Sequence, residues 1–323
     1  MNAETKAHLL SVGRVELVGE VPWERSSTAG PGAGERSVFF GSADKLVRLN
    51  VVPSSPLRME VEGGRAVIVE DGRELVRGVL VRPLAHCPEQ AYITVSERCI
   101  FDCKFCAVPR LMGRVKTLAE VQEIVEQASS RGGLKAISLT SGVEVSPEHE
   151  ARRVAEMVRA LLPCQVPIGV SVTPARGSSH LLKQAGAVEV KYNLETVDPE
   201  LFREVCPGQS MEQIKEGLVD GVAHFGRNRV FSNVIVGLGE TDKVLCQGIA
   251  ELAEMGVLPG LRPVYPHPLR QDELEMKRPS MERMLRLARF TRRELDKNEL
   301  RGDRALTMCY RCTGCDLTPH RDL

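Results

Sequence analysis

Apolar and polar positions along the chain follow two different periods in turn. Up to about residue 88 the apolar residues come in short β-branched runs: Val15–Val18, Leu46–Val52, Ala66–Val69 and Leu75–Val81. Such runs predict strands, and Gly63-Gly64 and Asp71-Gly72 supply two-residue hairpin turns between the later ones. Ser26 to Gly34 reads as a flexible loop by composition. From about 89 to 267, apolar strand runs at 91–95, 135–140, 167–172, 188–194, 229–237 and 260–265 alternate with amphipathic helical patterns. The helices include Leu118 to Ala128, Glu148 to Leu162, Met211 to His224 and Asp242 to Met255. This alternation implies right-handed crossovers and a parallel sheet, and six such units fit a partial (β/α)₆ barrel. After Pro268 come a charged helix from about Ser280 to Asn298 and a tail, Met308 to Asp316, rich in cysteine. The expected α/β organisation is therefore a β-rich N-terminal extension (1–88), a barrel (89–267) and a C-terminal helix with a cysteine-rich segment (268–323).

Composition narrows the function classes. The 43 basic and 43 acidic residues cancel, so neither nucleic acid nor an anionic membrane is an expected partner. No apolar run approaches the roughly 20 residues that span a bilayer. The first residues lack the basic-then-apolar plan of a signal peptide, so a cytoplasmic location is expected. Aromatics make up 4% of the chain, which leaves the core to aliphatic residues. Six of the ten cysteines fall into two tight triplets, which argues for metal rather than disulfides in a reducing compartment.

The first triplet is Cys99, Cys103 and Cys106 in SERCIFDCKFCAVPR, a C-x₃-C-x₂-C pattern with Phe105 before the third cysteine. Three thiolates at this spacing hold three corners of a 4Fe–4S cube and leave the fourth iron open. Zinc sites usually take four ligands in two pairs, and a bacterial ferredoxin run needs a fourth cysteine followed by proline. Here Cys106 leads into Ala107-Val108-Pro109 instead. The triplet follows the strand run at 91–95, and sites in α/β folds gather at the carboxyl ends of strands. The motif resembles that of the radical S-adenosylmethionine (SAM) enzymes. The resemblance implies a (β/α)₆ radical SAM barrel, an open iron that chelates the amino and carboxylate groups of SAM, and an electron donor such as ferredoxin or flavodoxin. It implies that one electron breaks the C5′–S bond, giving a 5′-deoxyadenosyl radical that takes hydrogen from an unactivated carbon.

Downstream segments carry the resemblance further. In Tyr192-Asn193-Leu194-Glu195-Thr196 the polar pair Asn193 and Glu195 alternates with apolar residues, which on a strand aims both into the lumen. The run is similar to the ribose-binding segment of biotin synthase and its relatives; an ordinary strand end is the plainer reading. Asn233 to Thr241 resembles the family's G-x-I-x-G-x-x-E segment, with Asn233 in place of the first glycine. There Ile235 and Gly237 would meet adenine, and Glu240 would brace the loop. Thr140-Ser141-Gly142-Val143-Glu144 departs from the family's Gly-Gly-Glu type, so Ser141 and Gly142 are carried over by location to the methionine amino group. Arg176 follows the third strand and can hold a carboxylate. Arg262 in the last strand reads either as a lumen residue for substrate or a second cluster, or as half of a surface ion pair. His267, between prolines, reads as structural. Cys164, Cys206 and Cys246 read as small core residues, and Cys87 stays undecided.

The second triplet, Cys309, Cys312 and Cys315, is C-x₂-C-x₂-C with Gly314 giving the backbone room. It suits an auxiliary 4Fe–4S cluster; structural zinc is the rival, with Cys87 or His320 as the fourth ligand. The barrel motifs most resemble the biotin synthase, HydE-type maturase and methylornithine synthase group. Phe231-Ser232 stands where biotin synthase has a cluster cysteine, which argues against biotin synthase itself. A barrel of this kind with a separate triplet is similar to the archaeal-type, two-component lipoyl synthases. That likeness implies sulfur insertion into an octanoyl chain, an acylated carrier protein and a second radical SAM subunit as partners, and a tail folded over the carboxyl ends of the strands. Rearrangement or cyclisation of a small molecule, with a structural or redox cluster, is the alternative. A non-catalytic iron–sulfur electron carrier would leave the ribose-type and adenine-type segments without a ligand.

Overall fold

The computed structural model describes residues 1–21 and 32–323. It opens on a helix, α1 (Ala3–Val12), absent from the strand-and-loop expectation for this region. Its local signals are clear: the Asn2 side chain accepts from the Thr5 amide at 2.7 Å, and Gly13 ends the helix at φ 68°. Six strands follow: β1 (Arg14–Val18), β2 (Ser37–Ser42), β3 (Lys45–Val51), β4 (Leu57–Glu62), β5 (Arg65–Glu70) and β6 (Arg73–Val81). They close as a barrel in the order β1-β3-β2-β6-β5-β4, because β1 pairs in parallel with both β3 and β4. Closure leaves no free edge. The turns at Gly63-Gly64 and Asp71-Gly72 have positive φ throughout, as two-residue hairpins require. The loop read at Ser26–Gly34 lies outside the described residues as far as Pro31. Strands β2 and β4 escaped the sequence reading, although in β4 buried Leu57 and Met59 alternate with exposed Arg58 and Glu60.

The second body alternates strand and helix: β7 (Gln90–Thr94), α2 (Leu118–Ser130), β8 (Ala136–Thr140), α3 (Pro147–Leu161), β9 (Ile168–Ser171), α4 (Ser178–Ala185), β10 (Glu189–Lys191), α5 (Pro199–Val205), α6 (Met211–Phe225), β11 (Val230–Val236), α7 (Asp242–Met255) and β12 (Leu258–Pro263). The six strands form one parallel sheet in chain order, the partial barrel. Thr117, Ser146, Ser210 and Thr241 cap α2, α3, α6 and α7 through their hydroxyls. Strand β10 stops at Lys191, three residues earlier than the apolar run suggests. Beyond it the Ser232 hydroxyl accepts from the Leu194 amide at 2.9 Å, and Glu195 takes a left-handed φ of 65°. Asn193 and Glu195 therefore leave from the loop after the strand, not from its alternating face.

Two elements complete the chain, α8 (Met281–Lys297) and the short α9 (Met308–Cys312). The tail does not cover the carboxyl ends of the strands, as expected from sequence; it fills the opposite end of the partial barrel. The Met308 amide donates to Ser138 Oγ (3.0 Å), Gln90 Nε2 donates to the Met308 carbonyl (3.0 Å), and the Tyr310 hydroxyl donates to the Pro259 carbonyl (2.8 Å). The cause is physical. Gln90, Ser138 and Glu189 are buried polar groups near the amino ends of their strands and need partners. Gly169 leaves the room: a Cβ there would lie 2.0 Å from Thr307 Oγ1. Lys6, fully buried, joins α1 to the tail through Asp322 and the Thr313 carbonyl, each at 2.7 Å. Among the described residues no helix is long and apolar enough to cross a membrane.

Candidate active site

The loop after β7 carries the first triplet at the mouth of the partial barrel. Cys99 Sγ accepts from the Val143 amide at 3.5 Å and Cys103 Sγ from Gln209 Nε2 at 3.0 Å. The loop is braced from below by Arg270, which is fully buried. Its Nε donates to the Cys106 carbonyl (2.8 Å), its Nη1 to both Glu273 oxygens (2.9 and 2.7 Å), and its Nη2 reaches Asp102. Gly142 lets the next loop close in, since a Cβ there would stand 2.3 Å from the Arg98 carbonyl. All three cysteines line a cavity of about 150 Å³ together with Phe105, Ser141, Gly142, Asn193 and Glu195. Burial pushes the Cys99 thiol up and the Cys106 thiol up to about 12. Such thiols keep their protons until a metal centre displaces them. Three sulfurs facing one cavity, two already receiving N–H groups, fit a 4Fe–4S cluster.

A second cavity, about 270 Å³, shares Phe105, Cys106, Thr140, Ser171, Asn193 and Glu195 with the first and runs to the floor. There it meets Cys87, Cys309, Cys312 and Cys315. A polar chain descends its wall. Asn193 Oδ1 accepts from the Asn233 amide (3.2 Å), Asn233 Oδ1 from Arg262 Nε (3.4 Å), and Arg262 Nη1 pairs with Asp316 of the tail (3.1 Å). Lys191 Nζ donates to the Tyr92 hydroxyl (3.3 Å) and to Cys309 Sγ (3.5 Å). Burial pushes the Glu195 carboxyl up to about 7, against the pull of Lys191 and Asn193. For Lys191, burial is outweighed by Cys309 and Tyr92, which hold the ammonium charged. The Nη2 atoms of Arg48 and Arg262 are buried without a partner among the described residues, and both residues line this chamber. Orphaned guanidinium N–H groups beside cysteine sulfurs fit an anionic, sulfide-rich group.

Other expected positions fall elsewhere. Ile235 lines the larger chamber. Gly237 does not: the Lys277 carbonyl occupies the place of its side chain, 2.1 Å from a built Cβ. Its amide donates to Glu240 at 2.8 Å, and Glu240 also accepts from Leu238 and pairs with Arg283, bracing the turn. Arg176 is exposed and lines neither cavity. His267 is buried and accepts from the Leu269 amide. Cys164 is exposed and so is not a core residue, whereas Cys246 is half-buried and packs against the edge of the core. Cys206 is buried in the core, as expected. Lys191, Tyr92, Arg48, Arg270 and Asp316 were missed; only Lys191, a cation inside an apolar strand run, left a signal in the sequence. Among the described residues, no three His, Cys, Asp or Glu side chains converge tightly enough for a single metal ion.

The radical SAM superfamily model matches residues 93–247. A probable GTP 3′,8-cyclase of Thermococcus kodakarensis is 22% identical over 152 residues, covering 46% of this chain and 48% of the relative. A lipoyl synthase of Kocuria rhizophila is 24% identical over 173 residues, covering 52% and 51%. The chain thus spans about half the length of these curated relatives. A methylornithine synthase structure superposes with a TM-score of 0.51 at 18% identity over 62% of each chain, a likeness of fold. Residues 93–247 of this chain thus carry a radical SAM domain.

Proposed function

We propose that the chain is a radical SAM enzyme acting on a carbon held in the chamber between two iron–sulfur sites, and that its reaction is sulfur insertion into an aliphatic chain of the octanoyl type. The carrying observation is the one chamber that reaches from Cys106 and Glu195 to Cys309, Cys312 and Cys315. Sulfur–carbon coupling needs donor and acceptor within about 3–3.5 Å, so a substrate must touch both sites at once. Cys99, Cys103 and Cys106 hold the mouth cluster, and Cys309, Cys312 and Cys315 the auxiliary one. When bound, the mouth cluster and SAM supply one-electron chemistry that makes an unactivated carbon reactive.

The chain's own residues bind and orient. Glu195, in its ionised form, accepts ribose hydroxyls beside Asn193; Phe105 and Ile235 give apolar walls; Ser141 and Gly142 offer polar backbone near the methionine end. The Asn193–Asn233–Arg262–Asp316 chain fixes the distance between mouth and floor. Ferredoxin or flavodoxin would supply electrons, and an acylated carrier protein with a second radical SAM subunit would complete a lipoyl-type system. A single-turnover assay with ³⁴S-labelled clusters and octanoyl-lysine peptide tests the reading. Labelled sulfur in the peptide, lost in Cys312→Ala, is the expected result. An unlabelled peptide with a partner enzyme present, and product unchanged in Cys312→Ala, would overturn it.

One observation favours a second reading, cyclisation or rearrangement of a small anionic molecule. The floor carries Lys191, Arg262 and Arg48, more cation than an octanoyl chain needs. Turnover of a nucleotide without sulfur transfer would select it.

A further inference from the structure

We propose that Cys87 is the fourth ligand of the floor cluster, making Cys87, Cys309, Cys312 and Cys315 a closed four-cysteine site; this rests on reading the floor as a cluster site. Cys87 is 1% exposed and faces the same chamber as the tail triplet. Its approach is built into the fold. Residues 84–90 form a tight turn: the Leu84 amide donates to the Cys87 carbonyl at 3.1 Å, and Cys87 bridges to Gln90. That turn is fastened to the tail on both sides, by Gln90 Nε2 to the Met308 carbonyl (3.0 Å) and by Glu89 to Arg311 (3.2 Å). Gln90 and Met308 are 218 positions apart in sequence, so the register between Cys87 and Cys309–Cys312 is set by tertiary bonds alone.

The competing ligand from the tail is spent. His320 Nε2 pairs with Asp296 at 2.8 Å and its Nδ1 accepts from the Gly302 amide at 3.2 Å, and it does not line the chamber. His86 lines the chamber but packs its ring against Tyr92, with centroids 5.3 Å apart. Four thiolates satisfy all four irons of a cube. Around them Lys191 touches Cys309, and the unpartnered Nη2 atoms of Arg48 and Arg262 supply N–H groups for sulfur. The two sites are then chemically unlike: the mouth keeps one open iron and the floor keeps none. Substrate binds beside the floor cluster without coordinating it.

The test uses the full chain carrying Cys99→Ala, Cys103→Ala and Cys106→Ala, so that only the floor can load. After anaerobic reconstitution, the measurements are iron and zinc content, the EPR of the reduced protein, and ¹³C hyperfine coupling on adding ¹³C-cyanide. The proposal expects four irons per chain and no ¹³C coupling while Cys87 is present. In Cys87→Ala the cluster should either bind cyanide at an open iron or be lost with unchanged circular dichroism. Cys87→Ser should retain iron with a shifted EPR spectrum. Cyanide coupling with Cys87 intact, or Cys87→Ala and Cys87→Ser spectra identical to the parent's, overturns the assignment. Zinc without iron would instead overturn the cluster reading on which it rests.

Discussion

Replacing Glu189 by alanine should loosen the tail and leave the barrel standing. Glu189 opens β10, is fully buried, and accepts four hydrogen bonds: from the amides of Leu306 (2.9 Å) and Thr307 (2.8 Å), from Thr307 Oγ1 (2.6 Å) and from Arg229 Nη1 (2.7 Å). Hydrogen bonds to a charged acceptor contribute about 1.5–3 kcal/mol each, and breaking a buried pair costs about 3–5 kcal/mol. Arg229 is 32% exposed, so water screens and rescues part of that interaction. The tail amides, by contrast, are left without a partner. A net local cost of about 3–4 kcal/mol follows. Because three of the four bonds join the tail to the barrel and not one strand to another, the cost should appear as local opening. Each 1.4 kcal/mol is tenfold, so amide exchange across residues 305–310 should quicken by about two to three orders of magnitude. Hydrogen-exchange mass spectrometry of the anaerobic protein reads this directly, with β8 and β11 peptides as internal controls. Exchange at 305–310 altered by less than about fivefold would refute the reasoning, because some other contact must then hold the tail.

Three further outcomes follow from the same structure. Gly169→Ala should displace the tail without touching the mouth, since its Cβ would meet Thr307 Oγ1 at 2.0 Å; on the proposed two-cluster reading, iron analysis should show the floor cluster lost and the mouth cluster kept. The Glu195 carboxyl, raised by burial to about 7 from 4.5, keeps a proton in the folded state that the unfolded chain has released. It therefore costs stability progressively as pH rises from 4.5 to 7, by up to about 3 kcal/mol, and by a constant amount above. Urea unfolding between pH 5 and 8 should show that slope reduced in Glu195→Gln; parallel pH profiles would count against it. Tyr310→Phe removes the buried donor to the Pro259 carbonyl and should cost about 1–2 kcal/mol in the same unfolding assay.

Local signals wrote much of the fold into the chain. Helix α7 has its expected bounds because Thr241 caps one end and Gly256 the other, and both two-residue hairpins follow from glycine at positive φ. Strand β10 was overrun because Tyr192 to Leu194 is apolar enough for a strand, while the Ser232 hydroxyl, 38 positions away, draws the chain out of the ladder. The direction of the tail was illegible for the same kind of reason. A C-x₂-C-x₂-C run does not say which end of a barrel it closes; Gln90, Ser138, Gly169 and Glu189 decide it, each more than a hundred positions upstream. Cys87 carried no motif of its own, since its partners lie on the tail.

The bond between Lys6 and Asp322 has a consequence for synthesis. The two residues are 316 positions apart, so α1 emerges from the ribosome long before the residues that complete its buried ion pair. At about 5–20 residues per second, that interval is roughly 15–60 s. Through it, the buried ammonium of Lys6 has neither Asp322 nor the Thr313 carbonyl to accept from it. The floor of the barrel can therefore take its final form only after residue 322 has left the ribosome, whereas the loop of Cys99, Cys103 and Cys106 is complete some two hundred residues sooner. The two cysteine triplets at the ends of one chamber are thus synthesised well apart in time.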